Sequence, residues 1–142
     1  MITYGHEIPV KEYNSIRESV GWKVLREEQA QKGLDRSEFL IAAYDGEKAV
    51  ATSTGSLATT VLLPGLRRIF PGAMRPEYQG RGIGAEMLKA ISGWFEDLAS
   101  DGSCILINLM ATKGNEPFYE KFGFVTRPND SMGAGMVRWI NG

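Results

Sequence analysis

The stretch Tyr78-Gln79-Gly80-Arg81-Gly82-Ile83-Gly84-Ala85 decides how the rest of the chain is read. It follows Pro76 and runs straight into a helical pattern. Ile83, Met87, Leu88, Ile91 and Phe95 recur at three- and four-residue spacing, so they share one face. Three glycines in five residues, at a helix start, expose consecutive backbone N–H groups. Those groups lack an intrahelical partner, and the helix dipole turns its positive end toward them. A phosphate suits such a place. Glycine has no Cβ, so a pyrophosphate can approach the main chain directly. Arg81 adds a mobile cation beside it. On the glycines alone, a tight turn with close packing is an equal alternative.

Two specific motifs fit the same residues. Gly80-x-Gly82-x-x-Ala85 matches the dinucleotide fingerprint, and Asp101 stands roughly where that motif has its ribose-binding acid. The context opposes it. The fingerprint opens directly from a buried apolar strand. Here Arg75-Pro76-Glu77-Tyr78-Gln79 intervenes, and Pro76 ends a strand. Too little chain follows for a full dinucleotide domain. The second motif is Gln-x-x-Gly-x-Gly, carried by Gln79, Gly82 and Gly84.

The 142 residues are expected to form one domain, 1–142, with a sizeable core. Net charge is −1, which leaves no basic footprint for nucleic acid. Cys104 is the single cysteine and His6 the single histidine. An internal disulfide, a Cys-based zinc site and a His-rich metal site are therefore excluded, and no metal is expected. No apolar run approaches the roughly 18–20 residues that span a bilayer, so no membrane association is expected. Met1 to Glu7 lacks the basic start and apolar core of a signal peptide. A lone thiol fits a reducing compartment. A cytoplasmic protein is expected.

Taken in order, Ile2 to Tyr4 reads as a first strand and Val10 to Val20 as a helix stopped by Gly21. Val24 to Lys32 reads as a second helix ending at Gly33. Phe39 to Tyr44 and Lys48 to Thr54 form a hairpin about Asp45-Gly46. Val61-Leu62-Leu63 precedes a turn at Pro64-Gly65. Leu66 to Met74 reads as a further strand, interrupted by Pro71-Gly72. That pair marks either a loop, an edge strand, or a bulge that bends the strand away from its neighbour. Gly82 to Leu98 is the central helix, and Cys104 to Met110 suits a buried parallel strand. Strand, helix and strand make a βαβ crossover. Asn115 to Lys121 is a short helix ended by Gly123. Strands are expected at Phe124-Val125 and at Met136 to Ile140. The fold class is α/β (α+β): one mixed sheet with helices.

Pro76 to Gly84 after a strand, a helix and an apolar strand next, then Phe118-Tyr119-Glu120-Lys121-Phe122-Gly123-Phe124, and a closing strand coincide in order. This set resembles the GNAT superfamily of acetyl-CoA-dependent N-acetyltransferases, over most of the chain from about Phe39 onward. The resemblance implies a central mixed sheet whose parallel strands splay, flanked by helices. It implies acetyl-CoA as co-substrate, with Gln79, Gly80, Arg81, Gly82, Ile83 and Gly84 around the pyrophosphate. The pantetheine arm would lie between Ile69–Met74 and Cys104–Met110, with Ala73 and Met74 offering backbone groups. Oxyanion charge at the acetyl carbonyl calls for an N–H donor. An amine would attack the thioester directly in a ternary complex. Tyr119 matches the family tyrosine that protonates the leaving thiolate, and a phenol of ordinary pKa near ~10 carries that proton at neutral pH.

The chain departs from the family in three places. Thr112 stands where many members have Asn, and Asn115 sits four residues before Tyr119. Asn115 is read either as a CoA contact or as a helix cap, the commoner use. The strand Leu66 to Arg75 holds no acidic base; Glu47, Glu116, Asp130, a water chain or no base at all remain open for that role. Pro71-Gly72 replaces ordinary strand residues. Acceptor specificity is assigned to Leu57–Arg68 and the N-terminal helices. Cys104 reads as a buried structural residue, since no base is placed to activate it. The expected acceptor is the primary amine of a small molecule. The alternative is a catalytically idle CoA-binding or sensing module of the same fold. Family members are often dimers, so a homodimer is compatible, although no stretch marks an interface.

Overall fold

A computed structural model describes residues 1–57, 66–102 and 104–136, with only the backbone described at 56, 57 and 66–71. The chain forms two compact units, Met1–Leu109 and Met110–Gly142.

The first unit is built on a sheet of order β1-β2-β3-β4-β5. Its strands are β1 (Ile2–Gly5), β2 (Phe39–Asp45), β3 (Lys48–Leu57), β4 (Leu66–Met74) and β5 (Leu106–Asn108). β1 to β4 pair antiparallel, and β5 joins β4 in parallel, so the sheet is mixed as expected. The β2–β3 hairpin turns at Gly46, whose φ of 61° is the conformation glycine supplies. Successive strand residues face opposite sides. Ala42, Ala49 and Ala73 meet Ile8, Ile16 and Leu34 on the side of helices α1 (Val10–Ser19) and α2 (Glu27–Asp35). Phe39, of opposite parity on β2, packs its ring 5.3 Å from Trp94 of α3 (Ile83–Leu98). The small alanines let the α1–α2 layer lie close to the sheet.

β4 carries a bulge. Thr52 pairs with Ala73 and Thr54 with Phe70, so Pro71 and Gly72 together oppose Ser53. A Cβ at Gly72 would sit 3.0 Å from the Thr52 carbonyl oxygen and 3.3 Å from Ser53 Cβ. A side chain there would require the neighbouring strand to give by a few tenths of an ångström. The proline removes a donor where the ladder is already broken. Of the open alternatives for this pair, a loop is not found: the strand continues through a bulge, on a stretch that pairs with β3 alone among the described residues.

Several boundaries differ from the sequence reading. The second helix begins at Glu27, not Val24, and runs through Gly33 to Asp35. Asn14 explains the start: its side chain donates to Leu25 O at 2.8 Å and accepts from Leu25 N–H at 3.1 Å. Those main-chain groups are therefore committed before a helix can use them. The parallel strand is three residues long rather than the whole of Cys104–Met110. Cys104 is exposed, not buried, and Met110 is 60% exposed. Only β4 flanks β5 among the described residues, so an apolar run did not by itself secure cover. Phe124-Val125 is not in a strand, and Val125 is 68% exposed. Met136 is likewise outside any strand, and 137–140 lie beyond the described residues. The Val61–Gly65 segment also lies outside them.

The second unit holds α4 (Glu116–Glu120). Gly123, at φ 84°, closes it, with its N–H donating to Glu120 O at 3.1 Å.

Candidate functional site

β4 and β5 pair only at Leu66–Leu106, Arg67–Ile107 and Arg68–Asn108. Beyond Arg68, β4 runs on to Met74 with no β5 pairing, since β5 ends at Asn108, so among the described residues no strand pairs with that edge. Arg75 N–H donates to Val50 O of β3 at 2.9 Å. Main-chain groups alternate along a strand, so those of Met74 face away from β3, toward the open edge. Gln79 Nε2 donates to Met74 O at 3.3 Å, which leaves the Met74 N–H on that edge. By the same alternation, buried Ala73 turns its groups to Thr52 and ties the strand end to β3.

A single 3-10 turn, Pro76–Tyr78, leads from β4 into the loop. Gly80 and Gly82 adopt φ of 73° and 79°, the left-handed region that disfavours a side chain. A Cβ at either would meet nothing within 4 Å. Close packing is therefore not why Gly80 and Gly82 stand here: their conformation calls for glycine, and the space beside them is open. Gly82 is the N-cap of α3, and the first helical bond runs from Glu86 N–H to Gly82 O at 3.1 Å. The amides of Ile83, Gly84 and Ala85 accordingly have no helical acceptor. The sixteen-residue helix directs its positive end at them.

The Arg81 guanidinium carbon lies 4.9 Å from the centre of the Tyr78 ring. The Tyr78 hydroxyl donates to Asp45 Oδ2 at 3.0 Å, which fixes the ring against the β2–β3 turn. Lys48 Nζ approaches the same ring at 5.6 Å and pairs with Glu77 at 3.4 Å. A loop cation thus rests on an aromatic platform tied to the sheet. None of these partners was evident in the sequence, because Asp45 and Tyr78 are 33 residues apart.

In the second unit, the Tyr119 ring packs 5.1 Å from Phe118 and 6.1 Å from Phe124. Burial pushes its hydroxyl pKa up from the ordinary tyrosine value. Asn115 occupies the N-cap of α4, yet its side chain makes no capping bond. Glu116 Oε2 instead accepts from Gly114 N–H at 2.7 Å. The Thr112 carbonyl accepts from Asn115 N–H at 2.9 Å. Of the acids considered as bases, Glu47 and Asp130 are exposed, and Glu116 is engaged with Gly114. Among the described residues no group of three or more His, Cys, Asp or Glu could hold a metal ion. Nor is any helix there long and apolar enough to cross a membrane.

The sequence reading also missed Arg75 and Glu12. Arg75 Nη2 lies 3.6 Å from Glu12 Oε2 and donates to Ser15 Oγ at 2.9 Å. Its Nε donates to Ala49 O at 2.9 Å. The signal available was an arginine at a strand end directly before Pro76.

The acetyltransferase (GNAT) domain family matches residues 35–126, which takes in the hairpin, the loop, α3 and α4. The chain belongs to the GNAT acetyltransferase family. Solved structures of the GNAT fold align over nearly the whole chain. A protein from meticillin-resistant Staphylococcus aureus, described as a probable acetyltransferase, aligns at TM-score 0.79 and 21% identity over 97% of this chain and 100% of its own. A GNAT family acetyltransferase from Streptococcus pneumoniae aligns at TM-score 0.75 and 23% identity, over 99% and 97%. A predicted acetyltransferase from Clostridium acetobutylicum, solved with acetyl-CoA, aligns at 0.66 and 19% identity, over 93% and 94%. No curated protein matches the sequence. The GNAT fold accounts for the mixed sheet, the parting of β4 and β5, and the helix that opens from a glycine loop.

Proposed function

We propose that this GNAT protein transfers an acetyl group from acetyl-CoA to a primary amine of a small molecule, in the cytoplasm, with 1–142 acting as one catalytic domain. The observation that carries this reading is the open glycine loop at the start of α3, next to an edge of β4 that no strand pairs among the described residues. The amides of Ile83, Gly84 and Ala85, with Gln79, Gly80, Arg81 and Gly82 around them, hold the pyrophosphate. The left-handed glycines keep that surface free of side chains. The open edge of β4 receives the pantetheine arm, with the Met74 N–H as its donor and Ala73 holding the strand end in place. Asn115, whose side chain makes no capping bond, is available as a further cofactor contact. Acetyl-CoA supplies the activated thioester.

The amine attacks that thioester directly, within a ternary complex. As the C–N bond forms and the C–S bond breaks, Tyr119 gives its proton to the departing thiolate, and the proton shed by the amine nitrogen restores the phenol through solvent. Its raised pKa keeps the hydroxyl protonated through neutral pH, which is the state a general acid needs. The Clostridium acetobutylicum relative bound to acetyl-CoA supports the same cofactor here.

Thermal unfolding with acetyl-CoA, and separately with NADH, tests the cofactor. Ligand at about 100 times its dissociation constant stabilises by about 2.7 kcal/mol. For a domain of this size that is a shift of roughly 5–10 °C. A shift with acetyl-CoA alone is expected, followed by release of free CoA when amines are added. A shift with NADH alone would overturn the reading.

A further inference from the structure

We infer that Arg75 is a positioning residue: it clamps the end of β4 to α1 and β3, and so sets where the acyl-carrying end of the cofactor meets the main chain. The inference rests on the acetyl-CoA reading for its consequence, but not for the clamp itself.

β4 has unusually little to hold its last residues. The bulge at Pro71-Gly72 breaks its ladder with β3 just upstream. On the other edge β5 has already left after Arg68. What remains are the register pairs Thr52–Ala73 and Ala51–Met74, and the bond from Arg75 N–H to Val50 O. The Arg75 side chain then folds back across the sheet. Its Nε donates to Ala49 O at 2.9 Å, and its Nη2 donates to Ser15 Oγ at 2.9 Å and lies 3.6 Å from Glu12 Oε2. Glu12 closes the circuit by accepting from Ala49 N–H at 3.3 Å. The Arg75 side chain is only 12% exposed, so water competes weakly for these bonds.

The planar fork matters. Two of its nitrogens serve partners on two different elements, β3 and α1, which a lysine point charge does not reproduce. Met74, whose N–H faces the open edge, is the residue immediately before. The 3-10 turn and the glycine loop come immediately after. A shift of the strand end would move the Met74 donor relative to the thioester, while the loop amides keep their own helix-start geometry.

The test uses the full chain with Arg75→Met, Arg75→Lys and Glu12→Gln. Folding is checked by circular dichroism, and Arg75→Lys is the milder change should Arg75→Met unfold. Amide hydrogen exchange is read at positions 49, 73 and 75. Loss of the clamp should speed exchange there by at least about tenfold while the α3 amides stay protected. Unchanged exchange in both Arg75 variants overturns the clamp, whatever the protein catalyses.

In parallel, kcat with the best amine and the dissociation constant for acetyl-CoA are measured. Positioning predicts kcat down about tenfold or more, with affinity within about threefold. Arg75→Lys should fail to restore kcat, and Glu12→Gln, which keeps an acceptor for Ala49 N–H, should show the smaller effect. Equal loss of kcat and affinity would mean general damage and overturn the positioning role. A wild-type protein that neither binds acetyl-CoA nor releases CoA would overturn the transfer reading instead, and the exchange data would still decide the clamp.

Discussion

The loop of the first unit and the helix α4 of the second present different parts of the chain. The start of α3 offers the main-chain amides of Ile83, Gly84 and Ala85, after a loop with two glycines in the left-handed region. α4 offers one side-chain hydroxyl, Tyr119, packed between Phe118 and Phe124. A main-chain site is sensitive to conformation and to charge brought onto it, and indifferent to most side-chain identities. A side-chain site is the reverse: its backbone can be ordinary, but removal of one oxygen removes its chemistry. The two regions should therefore fail in different ways.

The largest contrast is expected at Tyr119. Tyr119→Phe keeps the aromatic packing and deletes the hydroxyl proposed as the proton donor. Turnover should fall by about 100-fold or more, the lower range for a general acid. Affinity for acetyl-CoA should stay within about threefold. Because burial raises the hydroxyl pKa, an acid at Tyr119 would stay protonated at neutral pH and be lost only as pH climbs through that raised value. Turnover should accordingly persist to above about pH 10, the ordinary tyrosine value, before it falls. That alkaline limb should be missing in Tyr119→Phe. Equal loss of turnover and affinity would dissolve the contrast between the two regions.

Next is Gly82→Asp. A carboxylate at the N-cap of α3 occupies the amides and repels a phosphate. Acetyl-CoA binding should weaken by at least about tenfold, or about 1.4 kcal/mol, by calorimetry. Space is open there, but a φ of 79° strains any side chain, so affinity is compared only in a variant that circular dichroism shows to be folded. Unaltered affinity in a folded variant removes the loop from the cofactor site.

Gly72→Ala separates the two reasons for glycine. At the bulge the obstacle is space rather than φ, with Thr52 O at 3.0 Å from the new Cβ. Urea unfolding should show a loss of about 1–3 kcal/mol. A neutral result would mean that β4 shifts freely against β3.

The smallest effect concerns Thr52, whose Oγ1 is buried without a hydrogen-bond partner. Thr52→Val removes an unsatisfied group, so stability should hold or rise by up to about 1 kcal/mol. A clear loss would show that the hydroxyl has a partner and that β3 contributes polar contacts on the α1–α2 side.

Much of this was legible in the chain. The three- and four-residue spacing from Ile83 to Phe95 marked α3, and all five apolar positions are buried. Asp45-Gly46 marked the hairpin, and Pro71-Gly72 marked the irregularity in β4. These signals are local: periodicity, turn conformation and the missing proline donor act within a few residues. The Cys104–Met110 run misled because hydrophobicity does not state which neighbours exist. Only three of its residues found a strand to pair with. The start of α2 misled because Asn14, eleven residues earlier, had taken the main chain of Leu25.

By itself, then, the sequence determined the helix opening from a glycine loop, the hairpin, the bulge residues and the short aromatic helix, since each depends on backbone preferences written in adjacent residues. Tertiary structure alone decided where β5 leaves β4, which acid meets Arg75, and which ring supports Arg81. Those outcomes join residues far apart along the chain: Arg75 reaches Ser15 across 60 positions and Ala49 across 26. No local propensity encodes such a pairing. It exists only once packing of the α1–α2 layer against the alanine face has brought both partners out of water and into reach.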